Sequence, residues 1–450
     1  MPKVSIIMPS LNVGKYIDEC INSVVSQTLK DIEILCIDAG STDGTIDILR
    51  EYEKKYDNVH VIISDKKSYG YQMNLGISIA KGDYIGIVET DDYIDSRMYE
   101  CLWNEAEKKH ADYAKGISKG FLDCGENLRF EHDIIPCRQL KEHACVECHP
   151  CDMPLLFWTD NFLWNGIYKA DFMKNIRFNE THGAAFQDIG ALFQIISSAK
   201  KAVYVDQLVY YYRRSNSEAS SYNKQSFNYV ATEYKAINKK ISSMPDDWKK
   251  MYYIKLMGIF LDRFDYMGRS GEYWTESETG IKQIFQLLQD GIEKRLFSAI
   301  EFQTTTGYDV NYIKKVNKVL LDFKAYYEDA KISYCNEKKN IALLDQFVER
   351  KEIIIFGSGN YGRFLGYYLL KKQYNLVAFC DNNTDLFGKK IYNISIMPLN
   401  FIKKSILDRG VFIIANKKCA DEIEDQLLQS GIDNERIMKY TGSNSIFLLM

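Results

Sequence analysis

The acidic run Glu89-Thr90-Asp91-Asp92 is the segment whose residue types most directly suggest chemistry. It follows an apolar run at residues 84–88 and places three carboxylates within four residues. Like charges this close repel one another unless a cation joins them, and hard ions such as Mg²⁺ or Mn²⁺ prefer oxygen ligands. The run therefore predicts a metal site formed by Glu89, Asp91 and Asp92. Because aspartate is also common in turns and first helical turns, a purely structural role for the two aspartates stays open.

A further acidic residue, Asp188, lies where an apolar helix is expected to begin. The stretch Gly183–Asp188 leads into the apolar residues 189–199. A carboxylate in this position can act as a general base, or it can simply interact with the helix dipole. The residue types alone leave both roles open.

The glycine-rich run GSGNYG lies near the C-terminus, after an apolar strand at residues 353–356. A helix is expected after it, and an acidic residue follows the next predicted strand. This order matches the dinucleotide-binding fingerprint and predicts a Rossmann-like domain whose nucleotide-binding candidates are Gly357, Gly359, Gly362 and Asp381. Three roles stay open for it: binding of a nucleotide or nucleotide-sugar, redox chemistry, or a purely structural function.

A cysteine-rich segment contains Cys137, Cys145, Cys148, His149 and Cys151. Cysteine and histidine at short spacing can form a tetrahedral zinc site. Here the residues are crowded into one loop, without the usual distant second pair. Zinc binding and a reduced, thiol-rich loop are therefore both kept as interpretations.

The elements that must position these residues follow from the apolar pattern. Near-continuous apolar runs alternate with segments of helical spacing, and the runs are Val4–Met8, Ile32–Ile37, Val59–Ile63 and Tyr84–Val88. Continuous apolarity indicates that both faces of each strand are covered, which predicts an α/β fold with a parallel sheet between helices. Ligands bind at the carboxyl ends of the strands in such sheets, where the acidic run lies.

The rest of the chain predicts two further domains. Long helical patterns fill residues 222–347, and strands alternate with helices again near the C-terminus. We therefore expect domains at 1–220, 221–348 and 349–450. The helical region is predicted to pack on its neighbours. Acceptor binding, homo-oligomer formation and docking on a membrane surface are alternatives, since Lys249 and Lys250 lie beside aromatic residues.

Composition excludes several classes of protein. The 450 residues are 46% apolar and 26% charged, as expected for a folded multidomain protein. The net charge of −4 gives no general attraction to nucleic acid. No apolar stretch approaches the ~18 residues of a transmembrane helix. With no signal peptide evident and an odd number of cysteines, 11, we expect reduced thiols and a cytoplasmic location, with peripheral binding to the inner face of the cell membrane as an alternative.

Several segments, taken together and in order, resemble the family 2 glycosyltransferases of the GT-A fold: VSIIMPSLN, IDAGSTDGT, YGYQMNLGISIAKGDYIGIVETDDYI, FNETHGAAFQDIGALF and VYYYRR. The resemblance covers about residues 1–220. It implies an inverting enzyme that uses Mg²⁺ or Mn²⁺ and a nucleotide-diphosphate sugar, with a UDP-sugar as the first expectation. The acceptor would be a hydroxyl of a glycan or lipid-linked glycan, as in the synthesis of bacterial capsule and other surface polysaccharides.

The resemblance also assigns roles to individual residues. Asp188 falls at the position of the catalytic base, and residues 89–92 look like the DxD-type motif that holds the metal ion and the donor diphosphate. Arg213 belongs to a Tyr-Arg motif that contacts the diphosphate or the acceptor. The remaining assignments concern donor binding, in or near the nucleoside pocket, and comprise Pro9, Ser10, Asn12, Asp38, Ala39 and Asn74.

Three residues depart from the family pattern. Ala39 stands where many members carry an acid that contacts the base, which weakens the expectation of uridine. Glu89 replaces a more usual Asp, and Gln187 replaces the Glu before the base. The essential carboxylates are retained, so a non-catalytic sugar-nucleotide binder is disfavoured. A bifunctional sugar-modifying enzyme, or an NAD(P)-dependent oxidoreductase acting through the C-terminal domain, is kept as the alternative function.

Overall fold

The structure is a computed structural model that describes residues 1–123, 129–214, 216, 223–267 and 274–440. The chain divides into two compact units. The first comprises residues 1–121, 131–261 and 275–320, and the second comprises residues 122–130, 262–274 and 321–450.

A mixed sheet forms the centre of the first unit. Strands β1 and β2 correspond to near-continuous apolar runs of the sequence, and every residue in both strands is buried. The strands, in chain order, are β1 (Val4–Ser10), β2 (Ile32–Asp38), β3 (Val59–Ile63), β4 (Tyr84–Ile87), β5 (Tyr93–Ile94), β6 (Tyr113–Asp123), β7 (Arg129–Ile134), β8 (Cys145–Cys148), β9 (Gly166–Lys169) and β10 (Ala202–Arg213). The main path through the sheet runs β3-β2-β1-β4-β9-β6-β10-β5, and β8 pairs with β10.

The registers explain why polar residues gather at one edge of this sheet. Strand β1 is parallel to both β2 and β4, with Ser10 opposite Asp38 and Ile7 opposite Ile87. The carboxyl ends of these three strands therefore lie side by side. Strand β10 is antiparallel to β5, with Tyr211 opposite Tyr93. That pairing carries the end of β10 to the chain segment directly after the acidic run.

Helices cover this sheet and continue after it. Helix α1 shows how they do so: its apolar residues recur at helical spacing and Ile17, Cys20, Ile21 and Val24 are buried against the sheet. The helices up to residue 321 are α1 (Ile17–Val25), α2 (Thr45–Lys55), α3 (Tyr69–Ile79), α4 (Met98–Lys109), α5 (Leu155–Thr159), α6 (Ala170–Met173), α7 (Gln187–Ser198), α8 (Ser226–Ile241), α9 (Asp246–Met267), α10 (Trp274–Glu293), α11 (Ala299–Thr306) and α12 (Val310–Leu321). From residue 223 to residue 348 the described residues form helices and their connections without a strand, as the sequence predicts.

The second unit contains another sheet, with the strand order β13-β14-β12-β11-β15-β16. Strand β11 is parallel to β12 and β15, and all four of its residues are buried. The elements are α13 (Phe323–Val348), β11 (Ile353–Phe356), α14 (Asn360–Lys371), β12 (Leu376–Cys380), β13 (Lys390–Ile391), β14 (Ile394–Met397), α15 (Lys404–Leu407), β15 (Val411–Ile414), α16 (Ala420–Gln429) and β16 (Ile437–Lys439). The predicted succession of an N-terminal α/β sheet, a helical middle and a C-terminal sheet is confirmed.

None of the helices within the described ranges combines the length and the apolar character that crossing a bilayer requires.

Candidate active site

Asp92 is held by two hydrogen bonds inside the protein. The Tyr210 hydroxyl donates to Oδ2 at 2.8 Å, and the backbone N–H of Arg213 donates to Oδ1 at 2.7 Å. The side chain is 1% exposed, and burial, together with the negative charge of Asp91, raises its pKa. Both carboxylate oxygens are thus engaged by the end of β10, so Asp92 joins that strand to the acidic run.

Asp91 is half-buried and less completely engaged. The Asn216 side-chain amide donates to Oδ2 at 2.7 Å, and the backbone carbonyl of Asp91 accepts from Nε of Arg213 at 2.8 Å. Burial raises the pKa of Asp91, although Asn216 and the charge of Arg213 counteract this. Among the hydrogen bonds within the described ranges, none reaches Oδ1. This oxygen is therefore the one best placed to meet a ligand.

Arg213 stabilises the chain at Asp91 through the hydrogen bond from its Nε to the Asp91 carbonyl. Its guanidinium pairs with Glu19 and lies 4.9 Å from the centre of the Tyr16 ring and 4.8 Å from that of Phe121. Only 2% of the residue is exposed. The Arg213 guanidinium thus holds the Asp91 main chain and places a positive charge beside the acidic run, and its predicted contact with a diphosphate or an acceptor stays a prediction.

Glu89 links the acidic run to helix α3. The Tyr69 hydroxyl donates to Glu89 Oε1 at 2.8 Å. Burial raises the pKa of Glu89 to about 8, and the negative charges of Asp91 and Asp188 add to this effect. The structure therefore brings the predicted base electrostatically close to the acidic run, although the two are about a hundred residues apart in the chain.

Asp188 lies in the first turn of α7, two residues after Phe186, which has a left-handed backbone (φ 65°) at the N-cap. Its Oδ1 accepts from the backbone N–H of Ile189 at 3.0 Å. Burial raises the pKa of this half-buried carboxyl, and the charge of Lys255 opposes that rise. The N-cap residue is Phe186, whose side chain makes no capping hydrogen bond, and Asp188 follows in the first turn, where its carboxyl also faces the positive end of the helix dipole.

The residues predicted for the nucleoside pocket meet at the ends of β1 and β2. Asp38 Oδ2 accepts from the Ser10 and Ser41 hydroxyls, each at 2.7 Å, and Oδ1 accepts from the backbone N–H of Gly40 and Ser41. Asn12 adopts a left-handed backbone (φ 53°), and its Oδ1 accepts from Thr42 N–H at 2.9 Å. Asp38 thus orders the loop that would border a nucleoside.

Pro9 and Ala39 lie in the same strand ends. The backbone carbonyl of Pro9 accepts from the Thr90 hydroxyl at 2.9 Å, and the N–H of Ala39 donates to the carbonyl of Ser10 at 2.9 Å. Asn74 is engaged elsewhere: it exchanges hydrogen bonds with the backbone of Phe178 and donates to Glu180 Oε1 at 3.0 Å. It therefore anchors the loop before Asp188.

The glycine-rich loop of the second unit is held by hydrogen bonds to Asp381, which follows β12. Asp381 Oδ2 accepts from the backbone N–H of Ser358 at 2.8 Å and from its hydroxyl at 2.5 Å. These bonds lower the pKa of Asp381. Gly357 has φ 109°, and a Cβ at Gly362 would collide with the Gly357 carbonyl. Gly359 faces open space, so only the first and third glycines are required by the loop itself.

The cysteine-rich segment does not converge on one point. Cys137 Sγ donates to Gln139, Cys145 Sγ donates to Glu105, and His149 Nδ1 pairs with the Lys200 carbonyl at 2.6 Å. Throughout the described part of the chain, no group of three or more His, Cys, Asp or Glu side chains is arranged to hold a metal ion by itself.

Comparison with known proteins agrees with the fold of the first unit. Residues 5–183 match the family model described as glycosyl transferase family 2. The N-terminal region is a family 2 glycosyltransferase domain. Residues 349–438 match a second model, described as C2185-like, N-terminal.

Relatives of the glycosyltransferase domain are bacterial proteins. A poly(ribitol-phosphate) beta-glucosyltransferase from Bacillus spizizenii is 33% identical over 274 residues, which span 59% of this chain and 40% of that protein. The uncharacterized glycosyltransferase EpsJ of Bacillus subtilis is 41% identical over 223 residues, which span 48% of this chain and 62% of that protein. The chain thus spans less than two thirds of the length of either relative.

A solved structure shares the fold. The crystal structure of residues 1–349 of S. aureus TarS in complex with UDP-GlcNAc aligns with 75% of this chain and 91% of that chain, with a TM-score of 0.52 and 18% identity. At this identity the likeness concerns the fold, which is that of the predicted GT-A class.

One departure from the family 2 pattern has a clear structural reason. Gln187 is 1% exposed; its Oε1 accepts from Ala185 N–H at 2.7 Å, and its Nε2 donates to the Thr181 hydroxyl at 2.8 Å and to the Gly183 carbonyl at 3.2 Å. A glutamate could accept from the Ala185 N–H but could not donate to the Gly183 carbonyl. The amide therefore fixes the loop that delivers Asp188.

Sequence reasoning missed four residues of the glycosyltransferase site: Glu19, Tyr69, Tyr210 and Asn216. Tyr69 joins two halves of the site, because its hydroxyl binds Glu89 while its backbone N–H donates to the Gly183 carbonyl at 3.0 Å. The tyrosines of β10 were visible as part of a motif, but their partners were not. No motif in the sequence around Asn216 or Glu19 indicates that these residues belong to the site.

The acidic run fits a divalent ion that takes only part of its ligands from the protein. Magnesium commonly binds one or two carboxylates and completes its shell with phosphate oxygens and water. Asp91 has an oxygen without a protein hydrogen bond within the described ranges. Burial raises the pKa of Glu89, Asp91 and Asp92, and the negative charge of Asp91 adds to this rise in Glu89 and Asp92. A cation would relieve that repulsion. Asp92, with both oxygens engaged, suits a supporting role.

Proposed function

We propose that this chain is an inverting, metal-dependent glycosyltransferase that moves a sugar from a nucleotide-diphosphate sugar to a hydroxyl of a growing surface glycan. The observation that carries the proposal is that Glu89 interacts electrostatically with both Asp91 and Asp188, and that Tyr69 joins Glu89 to the loop before Asp188, at the end of the segment that matches family 2. One carboxyl group is available to take a proton, and others are available for a cation and a diphosphate.

Asp188 acts as the general base in this proposal. The acceptor hydroxyl loses its proton to Asp188 as its oxygen bonds to the anomeric carbon, while the nucleoside diphosphate leaves from the opposite face with the bonding electrons. A positioned base contributes roughly 10²–10⁴-fold to such a step. Its placement in a rigid helical turn supports this role, because a base must stay within hydrogen-bond reach of the hydroxyl.

Asp91 holds the divalent cation in this proposal, with Glu89 beside it. The ion, when bound, neutralises negative charge that develops on the leaving diphosphate. Arg213 and Asn216 orient Asp91 through its carbonyl and its Oδ2, respectively. Asp92 holds the end of β10 against the acidic run through its hydrogen bond with the backbone of Arg213, so that Arg213 stays beside Asp91.

A UDP-sugar is the first donor to test. The resemblance described above implies one, and the TarS fragment of the same fold was crystallised with UDP-GlcNAc. The Asp38 carboxylate, which would border the nucleobase, already accepts hydrogen bonds from the Ser10 and Ser41 hydroxyls.

The test is a donor panel on the full chain. Purified protein is incubated with UDP-, GDP-, CDP- and dTDP-sugars in Mg²⁺ or Mn²⁺, and the release of nucleoside diphosphate is measured with water or a surface-glycan oligosaccharide as acceptor. We expect one nucleotide class to dominate and EDTA to abolish its turnover. The variant Asp57→Asn, which changes an exposed aspartate remote from the acidic run in the sequence, is the control for aspartate substitutions and should turn over the donor as the wild type does. Turnover that is insensitive to EDTA, or that occurs with none of the donors, contradicts the proposal.

We further propose the division into residues 1–220, 221–348 and 349–450, the last being a Rossmann-like domain of the nucleotide-binding type. The parallel pairing of β11 with β12 and β15, and the tight loop at Gly357, support the last part. Limited proteolysis followed by mass spectrometry tests it, since cleavage should concentrate near residues 221 and 349.

A further inference from the structure

The start of helix α3 makes hydrogen bonds to both halves of the proposed active site. The Tyr69 hydroxyl donates to Glu89 Oε1 at 2.8 Å, and the Tyr69 backbone N–H donates to the Gly183 carbonyl at 3.0 Å. Glu89 belongs to the acidic run, and Gly183 lies in the loop that leads to Asp188. One residue therefore connects two segments that are distant in the chain.

The Tyr69 hydroxyl orients the Glu89 carboxylate. Other groups fix the main chain of Glu89, since its N–H donates to the Tyr210 hydroxyl at 3.1 Å and its carbonyl accepts from Cys20 Sγ at 3.5 Å. Among the described residues, Tyr69 is the one hydrogen-bond donor to the carboxylate, and Oε2 is left without a donor. The Tyr69 ring is itself held edge-on to Phe178, with 6.2 Å between the ring centres.

The main chain next to Tyr69 fixes the loop before Asp188. Ser68 and Gly183 form a parallel β-bridge, beside which the Gly183 N–H donates to the Lys67 carbonyl at 2.8 Å. Gly183 has a left-handed backbone (φ 88°), a conformation that glycine adopts without strain. The loop is thus attached to the chain at the point where α3 begins.

Helix α3 packs so closely on this loop that one contact leaves no room for a side chain. A Cβ at Gly70 would lie 1.9 Å from the backbone oxygen of Asn179. One turn later, Asn74 exchanges hydrogen bonds with the backbone of Phe178. Because backbone meets backbone here, α3 and the loop cannot shift against each other without breaking these contacts.

Helix α8 contacts the same loop from a second element. Glu233 is 1% exposed, and its Oε2 accepts from the Asn179 side-chain amide at 2.9 Å. A Cβ at Gly190, in the first turn of α7, would collide with the same oxygen. Within the described ranges, none of these hydrogen bonds extends to the acidic run. Tyr69 differs from Glu233 because it bonds to the loop and to the acidic run at once.

We propose that Tyr69 is a positioning residue that sets the spacing between the acidic run and the base: its hydroxyl orients Glu89, and its main chain holds the loop that leads to Asp188. Transfer requires the leaving diphosphate and the acceptor hydroxyl to be placed together, and a misplacement of about 1 Å can cost on the order of 10²-fold in rate. The inference rests on the proposed function, since the spacing matters only if Asp188 takes the proton and the acidic run holds the cation.

The hydroxyl is tested with Tyr69→Phe, which keeps the ring and the backbone hydrogen bond. Without the hydroxyl the Glu89 carboxylate can turn, so kcat should fall at least about tenfold and the dissociation constant for Mn²⁺ should rise at least about threefold. Nucleoside diphosphate release gives kcat. The electron paramagnetic resonance signal of free Mn²⁺, titrated into the full chain with the nucleoside diphosphate of the best donor, gives the dissociation constant.

Tyr71→Phe is the matched control on the same helix. Within the described ranges the Tyr71 hydroxyl makes no hydrogen bond, so this variant should match the wild type in kcat and in Mn²⁺ affinity. A role of Tyr69 confined to packing predicts a lower melting temperature for Tyr69→Phe, with unchanged kcat per folded molecule and unchanged Mn²⁺ affinity. That outcome would overturn the proposal.

A double variant with Glu89→Ala shows whether Tyr69 acts through Glu89. If it does, Tyr69→Phe should change the Mn²⁺ dissociation constant by less than about twofold once the Glu89 carboxylate is absent. The same fold-change in both backgrounds would refute the link. If Tyr69→Phe does not fold, Tyr69→Leu, which also lacks the hydroxyl, takes its place in the comparison.

The backbone contact is tested with Gly70→Ala, which places a methyl group against the Asn179 carbonyl. The loop should move away from α3, so hydrogen exchange of the backbone amides at residues 183–188 should be faster and kcat should fall at least about tenfold. Ser78→Ala, at an exposed position of the same helix, is the control and should match the wild type. If Gly70→Ala does not fold, Asn74→Ala, which removes other bonds to this loop, replaces it. Unchanged exchange and kcat would refute this part.

Failure of the inference can be told apart from failure of the proposed function. Normal turnover of Asp188→Asn, or a wild type that binds no Mn²⁺, would remove the proposed function. Loss of turnover in Asp188→Asn, together with wild-type kcat and Mn²⁺ affinity in Tyr69→Phe, would leave the proposed function intact and refute only the role of Tyr69.

Discussion

The two sheets of this protein both end in loops with acidic residues, yet the carboxyls of those loops are in opposite electrostatic states. At the edge of the first sheet, burial raises the pKa of Glu89, Asp91 and Asp92, and the negative charge of Asp91 adds to the rise in the other two. At the edge of the second, hydrogen bonds from Ser358 and Asn383 lower the pKa of Asp381. One set of carboxyls is short of positive charge, and the other carboxyl is satisfied by its own loop.

This difference indicates which loop is prepared for a charged ligand. A carboxyl whose ionised form is disfavoured gains from a cation or a proton, and such groups concentrate at functional sites. A carboxyl already held by a neighbouring hydroxyl and two backbone N–H groups gains little. The glycine-rich fingerprint is thus the more recognisable motif in the sequence, while the chemically poised residues lie in the first unit.

The largest effect is expected for Asp188→Asn. The substitution keeps the shape and removes the proton acceptor, so transfer should fall by roughly 10²-fold or more while donor binding changes little. Turnover and melting temperature are measured on the same sample. Near-normal turnover would assign the base to another group and remove the contrast between the two edges.

A somewhat smaller effect is expected for Asp91→Asn. Because a neutral amide is a poor ligand for Mg²⁺ or Mn²⁺, donor affinity should fall about tenfold or more and should no longer respond to EDTA. Calorimetric titration with the best donor, with and without EDTA, measures this. The exposed variant Asp57→Asn should bind as the wild type does. If Asp91→Asn remained sensitive to EDTA, Glu89 or Asp92 would be the residue that holds the metal.

The opposite states of the carboxyls also predict opposite pH dependences of stability. Burial raises the pKa of Glu233 from about 4.5 to about 7, so the folded state holds a proton that the unfolded state has lost between these values. The contribution of Glu233 is therefore complete below pH 4.5 and is lost as the pH rises through 7. For Asp381, whose pKa is lowered, stability is instead lost as the pH falls.

Replacing Glu233 by Gln should remove its part of this dependence. The wild type should lose up to about 1.4 kcal/mol per pH unit relative to Glu233→Gln between pH 5 and 7. Melting temperatures of both proteins across this range, in EDTA, measure the difference. Parallel curves would show that Glu233 ionises as in the unfolded chain.

A smaller loss is expected for Asp381→Asn in the second unit. The amide cannot accept from Ser358 N–H, Ser358 hydroxyl and Asn383 N–H as well as the carboxylate does, which should cost about 1–3 kcal/mol of stability. Differential scanning calorimetry measures it, with the exposed Asp385→Asn as the matched control. Equal stability of the two variants would mean that Asp381 is free for a ligand after all.

The smallest effect concerns redox chemistry, for which we expect none. Incubation with NAD⁺ or NADP⁺ and the donor sugar should leave the absorbance near about 340 nm unchanged, because the proposed function assigns the chemistry to the first unit. A steady rise that depends on the enzyme would revive the oxidoreductase alternative.

The fold could be predicted from the sequence because its signals are local. Continuous apolar runs marked β1, β2 and β4, and helical spacing marked α1. The ends of these strands also led to the prediction that the acidic run is a ligand site. The individual functions of Asp91 and Asp92 could not be separated, because what distinguishes them is the engagement of Asp92 by Tyr210 and Arg213, more than a hundred residues later.

The sequence by itself therefore determined the strands, the helices and the carboxyl residues that end at one edge of the first sheet, since hydrophobic periodicity and residue type are properties of neighbours in the chain. Only the tertiary structure decided which carboxyl oxygens remain available and which charges surround Asp188. Glu233 and Lys255 interact with it electrostatically from α8 and α9, and a buried charge owes its effect to low local polarity and short distance, neither of which is written in the adjacent residues.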